Sequence, residues 1–106
     1  MINEEAFNKM KKTAYLINVA RGPVVNEKAL HDALVNDKIA GAGLDVLCKE
    51  PIAKENPLGK IMDSKRLIIT PHLAWASVEA RERCVALNYD NIKAFLNGEE
   101  LCRVDK

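Results

Sequence analysis

Three short apolar runs, each stopped by a turn, constrain this chain more than any other feature. Ala14, Tyr15, Leu16, Ile17, Asn18 and Val19 form a nearly continuous apolar stretch of strand length that does not alternate. Such a run fits a strand buried on both faces, as in a parallel sheet. Arg21, Gly22 and Pro23 break it. Residues 41–46 (Gly41, Ala42, Gly43, Leu44, Asp45, Val46) read as a second buried strand, whose small residues let a helix pack close. Residues 67–70 read as a third, stopped by Pro71.

Helical patterns separate the runs. Asn3 caps a short helix from Glu4 to about Lys11, with Glu4 and Glu5 in the first turn, where negative charge suits the helix dipole. Asn26 opens a second helix with Leu30, Leu34 and Val35 as its apolar stripe, and Asp37 or Lys38 ends it. Residues 47–66 are loop-like, punctuated by Pro51, Pro57 and Gly59. Ser77 caps a long final helix, spanning 77–98 with its flanks, in which Val78, Val85, Tyr89, Ile92 and Leu96 recur at helical spacing before Gly98 ends it. Strands alternating with helices define an α/β fold with a parallel sheet of about three strands. The first strand has no earlier strand to pair with, which points to a missing partner on its N-terminal side.

At 106 residues one domain at most is expected. A net charge of +1, with Lys and Arg scattered, gives no basis for a nucleic acid or an anionic membrane as partner. No apolar run approaches the roughly 20 residues of a bilayer span, and no secretory signal is visible. Cys48, Cys84 and Cys102 are odd in number and form no CxxC, so neither a disulfide framework nor a metal site is indicated. A cytoplasmic protein with reduced thiols is the expectation.

Ligands of open parallel sheets bind beyond the carboxyl ends of the strands. Arg21 follows the first strand, Asp45 ends the second with Glu50 just beyond, and His72 follows the third. These types suit reduction of a keto acid. Arg21 can hold a carboxylate through two parallel hydrogen bonds. His72 can give a proton to a carbonyl oxygen, and Glu50 can hold the other imidazole nitrogen and favour the protonated ring. Each also has a structural reading: a solvated Arg, a turn-capping Asp, a loop Glu, a satisfied His. The pattern alone leaves both open. His31 falls on the polar side of its helix and is expected to be solvated. Trp75 either lines a pocket or packs on the last helix. The Gly41/Gly43 pair lies within a strand and is no nucleotide-binding turn.

Residues 10–22, containing Met10, Lys11, Ala14, Leu16, Ile17, Asn18, Ala20, Arg21 and Gly22, resemble the "MK…A.LIN.ARG" motif of the D-2-hydroxyacid dehydrogenases, and Val24 to Leu30 continue it. Residues 41–46 with Glu50 and Pro51 are similar to that family's "GA.LDV…EP" segment. Asn56, Pro57 and Leu58, then Ile69, Thr70, Pro71 and His72, match its last strand and catalytic histidine. The blocks cover nearly the whole chain in the family's order. The resemblance implies the C-terminal half of a Rossmann-type NAD-binding domain, so residues 1–106 are expected to be a partial dinucleotide-binding domain whose last helix returns toward a substrate domain. It implies that Arg21 binds substrate, Glu50 pairs with His72, and His72 is the acid/base. It also implies that Val19, Ala20, Arg21, Asp45 and the stretch His72, Leu73, Ala74 and Trp75 line an NAD or NADP site. Glu50 in place of Gln sets the chain apart from the related formate dehydrogenases. Ala74 and Trp75, where many members carry glycines, resemble the glycerate dehydrogenase (hydroxypyruvate reductase) branch, and hydroxypyruvate/D-glycerate is the substrate pair implied. A homodimer, or pairing with an N-terminal half, is expected. The family's Gly-rich phosphate turn, its ribose-binding acid and most of its substrate domain are absent here, so negligible NAD affinity and an inactive isolated chain are expected. The alternative is a non-catalytic interaction or complementation module.

Overall fold

The computed structural model describes residues 1–104, which divide into two compact units, one over residues 1–73 and the other from Ala74 onward. The first unit runs α1 (Glu4–Asn8), β1 (Tyr15–Asn18), a 3-10 turn (Gly22–Val24), α2 (Glu27–Val35), β2 (Gly41–Leu44), a second 3-10 turn (Pro57–Lys60) and β3 (Leu67–Ile69). The three strands form one parallel sheet in the order β1-β2-β3, with Ile17 beside Gly43 and Gly43 beside Ile68. This open parallel sheet with helical crossovers is of the Rossmann type.

Local chemistry sets the helix starts. The Asn3 and Asn26 side chains accept hydrogen bonds from the Ala6 and Ala29 amides, which would otherwise lack partners. α1 stops at Asn8, earlier than the pattern suggests. Its last turn tightens, with the Lys9 and Met10 amides bonding the carbonyls of Ala6 and Phe7, three residues back. The core lies on one face of the sheet, where Phe7, Leu30, Leu34, Ile39, Ala42, Leu44, Leu58 and Leu67 pack together. Leu58 is fully buried, so the long connection between β2 and β3 is anchored at its middle rather than free.

The expectation that β1 is buried on both faces fails. Leu16 and Asn18 face inward, whereas Tyr15 is 68% exposed and Ile17 67% exposed. Period-two geometry puts Tyr15, Ile17 and Val19 on the opposite side from the core, and Ile68 is exposed at the register position of Ile17. His31 also departs from expectation. Its side chain is 23% exposed, because the Pro57–Lys60 turn packs on α2, and its Nδ1 lies 3.0 Å from Asp32 Oδ1.

The second unit is dominated by α3 (Val78–Leu96), capped by the Ser77 hydroxyl, which accepts from the Ala80 amide, and followed by Gly98 with φ of 75°. The apolar series Val78, Val85, Tyr89, Ile92 and Leu96 is present on this helix but exposed, and Ala94 is its buried residue. Among the described residues no helix is long and apolar enough to cross a membrane.

Because Leu30 is wholly buried and Ile17 is not, Leu30→Ala is expected to lower the unfolding free energy by about 2–5 kcal/mol. Ile17→Thr should change it by no more than about 0.5 kcal/mol. Urea denaturation compares them, and equal losses would place Ile17 in the core.

Candidate active site

The carboxyl ends of all three strands come together through side chains that also carry the sequence. At the end of β1, Asn18 is buried inside an otherwise apolar run. Its Nδ2 donates to the Arg21 carbonyl at 3.0 Å and its Oδ1 accepts from the Ala20 amide at 3.1 Å, closing the turn that presents Arg21. The next residue, Gly22, meets the β2 loop so closely that a Cβ there would lie 2.0 Å from the Leu47 carbonyl carbon and 2.3 Å from the Cys48 nitrogen. Only a residue without a side chain fits this approach.

Asp45, 5% exposed, leaves the β2 ladder to organise the turn after β3. Its carbonyl accepts from the His72 amide at 2.9 Å. Its Oδ1 accepts from the Thr70 hydroxyl at 2.5 Å and from the Leu73 amide at 2.8 Å. His72 itself sits at φ of 57°, a left-handed conformation costing about 1–3 kcal/mol for a non-glycine residue, and these bonds to Asp45 hold it there.

The imidazole Nδ1 of His72 lies 2.9 Å from Glu50 Oε2, and Glu50 Oε1 accepts from the Leu47 amide at 2.9 Å. The Leu47 amide first, and the His72 imidazole second, hold the Glu50 carboxyl below its usual range. A cavity of about 290 Å³ opens against this pair, walled by Asp45, Leu47, Ile52, Ile69 and Pro71.

The structure thus brings together Glu50, His72 and Asp45. Arg21 stands apart: its guanidinium Nη1 donates to the Ala20 carbonyl at 2.7 Å, and it is not part of the cavity wall. Val19 and Ala20 are exposed on the same turn, and Leu73 is exposed after His72. Ala74 and Trp75 open the second compact unit. Sequence reasoning missed Asn18 and Thr70 as supports of the site. Of these, Asn18 carried a signal, since a lone amide inside an apolar strand must find partners when buried.

Residues 1–74 match the family model described as "D-isomer specific 2-hydroxyacid dehydrogenase, NAD binding domain". The chain belongs to the D-isomer specific 2-hydroxyacid dehydrogenase family, an oxidoreductase family. It is 50% identical over 99 residues to a glyoxylate reductase of Thermofilum pendens, a match covering 93% of this chain and 28% of that protein. It is 42% identical over 106 residues to a hydroxypyruvate reductase of Blautia hydrogenotrophica, covering 100% of this chain and 32% of that protein. Among solved structures, the NADPH-dependent glyoxylate/hydroxypyruvate reductase of Sinorhizobium meliloti, in complex with citrate, superposes with a TM-score of 0.71 at 41% identity over 98% of this chain and 32% of that one. The chain therefore spans about a third of the length of the relatives it matches.

Two outcomes test this geometry. Gly22→Ala should destabilise the chain by about 1–3 kcal/mol, read by chemical denaturation, because the backbones of the two turns must separate. A neutral result would mean that the turns do not touch. For Glu50, a folded-state pKa below the usual 4.5 means its stabilisation is full above that value and is lost as pH falls through the depressed one. Thermal unfolding of wild type and Glu50→Gln should show a stability gap that closes toward acid; a gap independent of pH would remove the ionised carboxylate as its source.

Proposed function

We propose that this chain carries the acid–base apparatus of an NAD- or NADP-dependent 2-hydroxyacid dehydrogenase acting on a short 2-keto/2-hydroxy acid pair, with hydroxypyruvate/D-glycerate as the preferred pair. The observation that carries this reading is the 2.9 Å Glu50–His72 contact on the wall of a small cavity at the carboxyl ends of parallel strands. The names of the relatives, glyoxylate and hydroxypyruvate reductases, favour a short keto acid.

With Nδ1 engaged by Glu50, Nε2 of His72 is the nitrogen assigned to proton transfer with the substrate oxygen. In the reducing direction it gives its proton to the carbonyl oxygen, and Glu50 offsets the imidazolium charge and keeps the ring in one orientation. Arg21 is assigned to the substrate carboxylate, which its planar fork can grip with two parallel bonds once the bond to the Ala20 carbonyl is exchanged. The residues present suit the nicotinamide end of a dinucleotide: a buried carboxylate at Asp45, an apolar wall of Leu47, Ile52 and Ile69, and the exposed turn at Val19 and Ala20. When bound there, the cofactor supplies or takes the hydride at the substrate carbon.

Pyrophosphate is ordinarily gripped by a Gly-rich turn between a strand and a helix. None occurs in these 106 residues, so the chain alone is expected to bind dinucleotide weakly and to turn over little. A second reading, an interaction or complementation module, draws on the exposed apolar sheet face of Tyr15, Ile17 and Ile68. A homo-oligomer belongs to the same reading, and mass analysis after size exclusion tests it: a monomer at all concentrations would sink self-association.

NAD(P)H oxidation with hydroxypyruvate should be negligible for the chain alone and measurable when it is mixed with the matching N-terminal portion of a related dehydrogenase. In that mixture, His72→Ala should cost about 10²–10⁴ in kcat, and Arg21→Lys should lower kcat/KM about tenfold or more. A fully active His72→Ala variant would overturn the assignment of the acid.

A further inference from the structure

Glu27, the first residue of α2, reaches away from its helix to two points on the β2–β3 connection. Its Oε1 accepts from the Cys48 amide at 2.7 Å, and its Oε2 accepts from Asn56 Nδ2 at 2.8 Å. Asn56 is buried, and its own Oδ1 accepts from the Leu58 amide at 3.0 Å, so the loop end that Glu27 holds is itself fixed to the buried Leu58 turn. Between these two points lies Glu50. Leu47, whose amide binds Glu50 Oε1, is the immediate neighbour of Cys48. The same Cys48 peptide is pressed against Gly22, so it cannot move toward β1. Burial first, and then the nearby Glu27 carboxylate, push the Cys48 thiol up, as a negative charge at this spot would.

We infer that Glu27 is a positioning residue: one carboxylate clasps both ends of the 48–56 segment and so sets where Glu50 meets His72. The inference rests on the acid–base role given above to that pair. A clasp of this kind acts on rate more than on binding. It touches neither substrate nor cofactor, but a displacement of about 1 Å in a positioned acid–base pair costs up to about 10² in rate. The two hydrogen bonds also define a donor–acceptor pattern that can be reversed. Glu27→Gln retains one acceptor for the Cys48 amide but turns an NH₂ group toward the NH₂ of Asn56. Asn56→Asp alone sets two carboxylates against each other. The double variant restores complementarity, because the introduced amide then faces the introduced carboxylate while the Leu58 amide keeps an oxygen partner.

The test uses the full 106-residue chain, labelled with ¹⁵N, and the reconstituted assay described above. In Glu27→Gln the Leu47 and Cys48 amide resonances and the His72 Nδ1 resonance are expected to move, and in Glu27→Gln/Asn56→Asp they should return to the wild-type positions. In the assay, kcat should fall about tenfold in the single variant, with KM for hydroxypyruvate changed less than about twofold, and kcat should recover in the double variant. An unmoved His72 Nδ1 resonance with unchanged kcat overturns the proposal, as does a loss that the double variant fails to restore. If Glu27→Gln does not fold, a folded double variant with His72 at its wild-type position supports the clasp, and an unfolded one refutes it. If the wild-type mixture reduces no keto acid, the dehydrogenase reading fails and the resonances alone decide the clasp.

Discussion

Asp45 gives its backbone N–H to the carbonyl of Asn18 and takes back, through its own carbonyl and carboxylate, the amides of His72 and Leu73 and the hydroxyl of Thr70. One buried residue thereby links the ends of β1, β2 and the turn after β3. A carboxylate removed from water is tolerated only when donors surround it, and here the donors are the groups that must be held if the imidazole is to face a cavity. The left-handed conformation of His72 follows from that demand: the chain must turn sharply after β3 for both amides to reach Asp45. Of these bonds, the carboxylate supplies those to Thr70 and Leu73, and the backbone carbonyl the one to His72.

The arrangement of strands and helices was legible because apolar period and capping chemistry are local properties. Asn3, Asn26 and Ser77 each cap the helix that the pattern assigns to them. The ends of the elements were less legible. α1 is cut short by its own 3-10 turn, and β2 stops at Leu44 and yields Asp45 to the site, where its hydrogen bonds come from residues more than 20 positions away. The burial of β1 is likewise not a local property. A run such as Tyr15, Leu16, Ile17 says that both faces are apolar, but whether each is covered depends on which side α1 and α2 choose.

The site was legible in part. Glu50 and His72 were found by their position beyond strand ends, and they do meet. Arg21 was found by the same rule, yet its side chain turns back on its own backbone. Strand-end position fixes where a residue's Cα lies and leaves the direction of a long flexible side chain to local hydrogen bonds. Glu27 and Asn56 could not be found this way. Nothing in their neighbourhoods distinguishes them from an ordinary first-turn acid and a turn-forming amide, and their meaning comes from each other across 29 positions.

The contact between Gly22 and the Leu47–Cys48 peptide has a further consequence. A hydrogen atom on Gly22 occupies the space in which the β1 and β2 turns interlock, so the placing of the loop that carries Glu50 toward His72 is set partly by a residue that has no functional group. Changes at such a position would be felt at the Glu50–His72 contact while leaving both of those side chains unaltered. Surveys of function that weigh residues by their chemical groups would overlook it, and loss of activity through this position would pass for an ordinary folding defect.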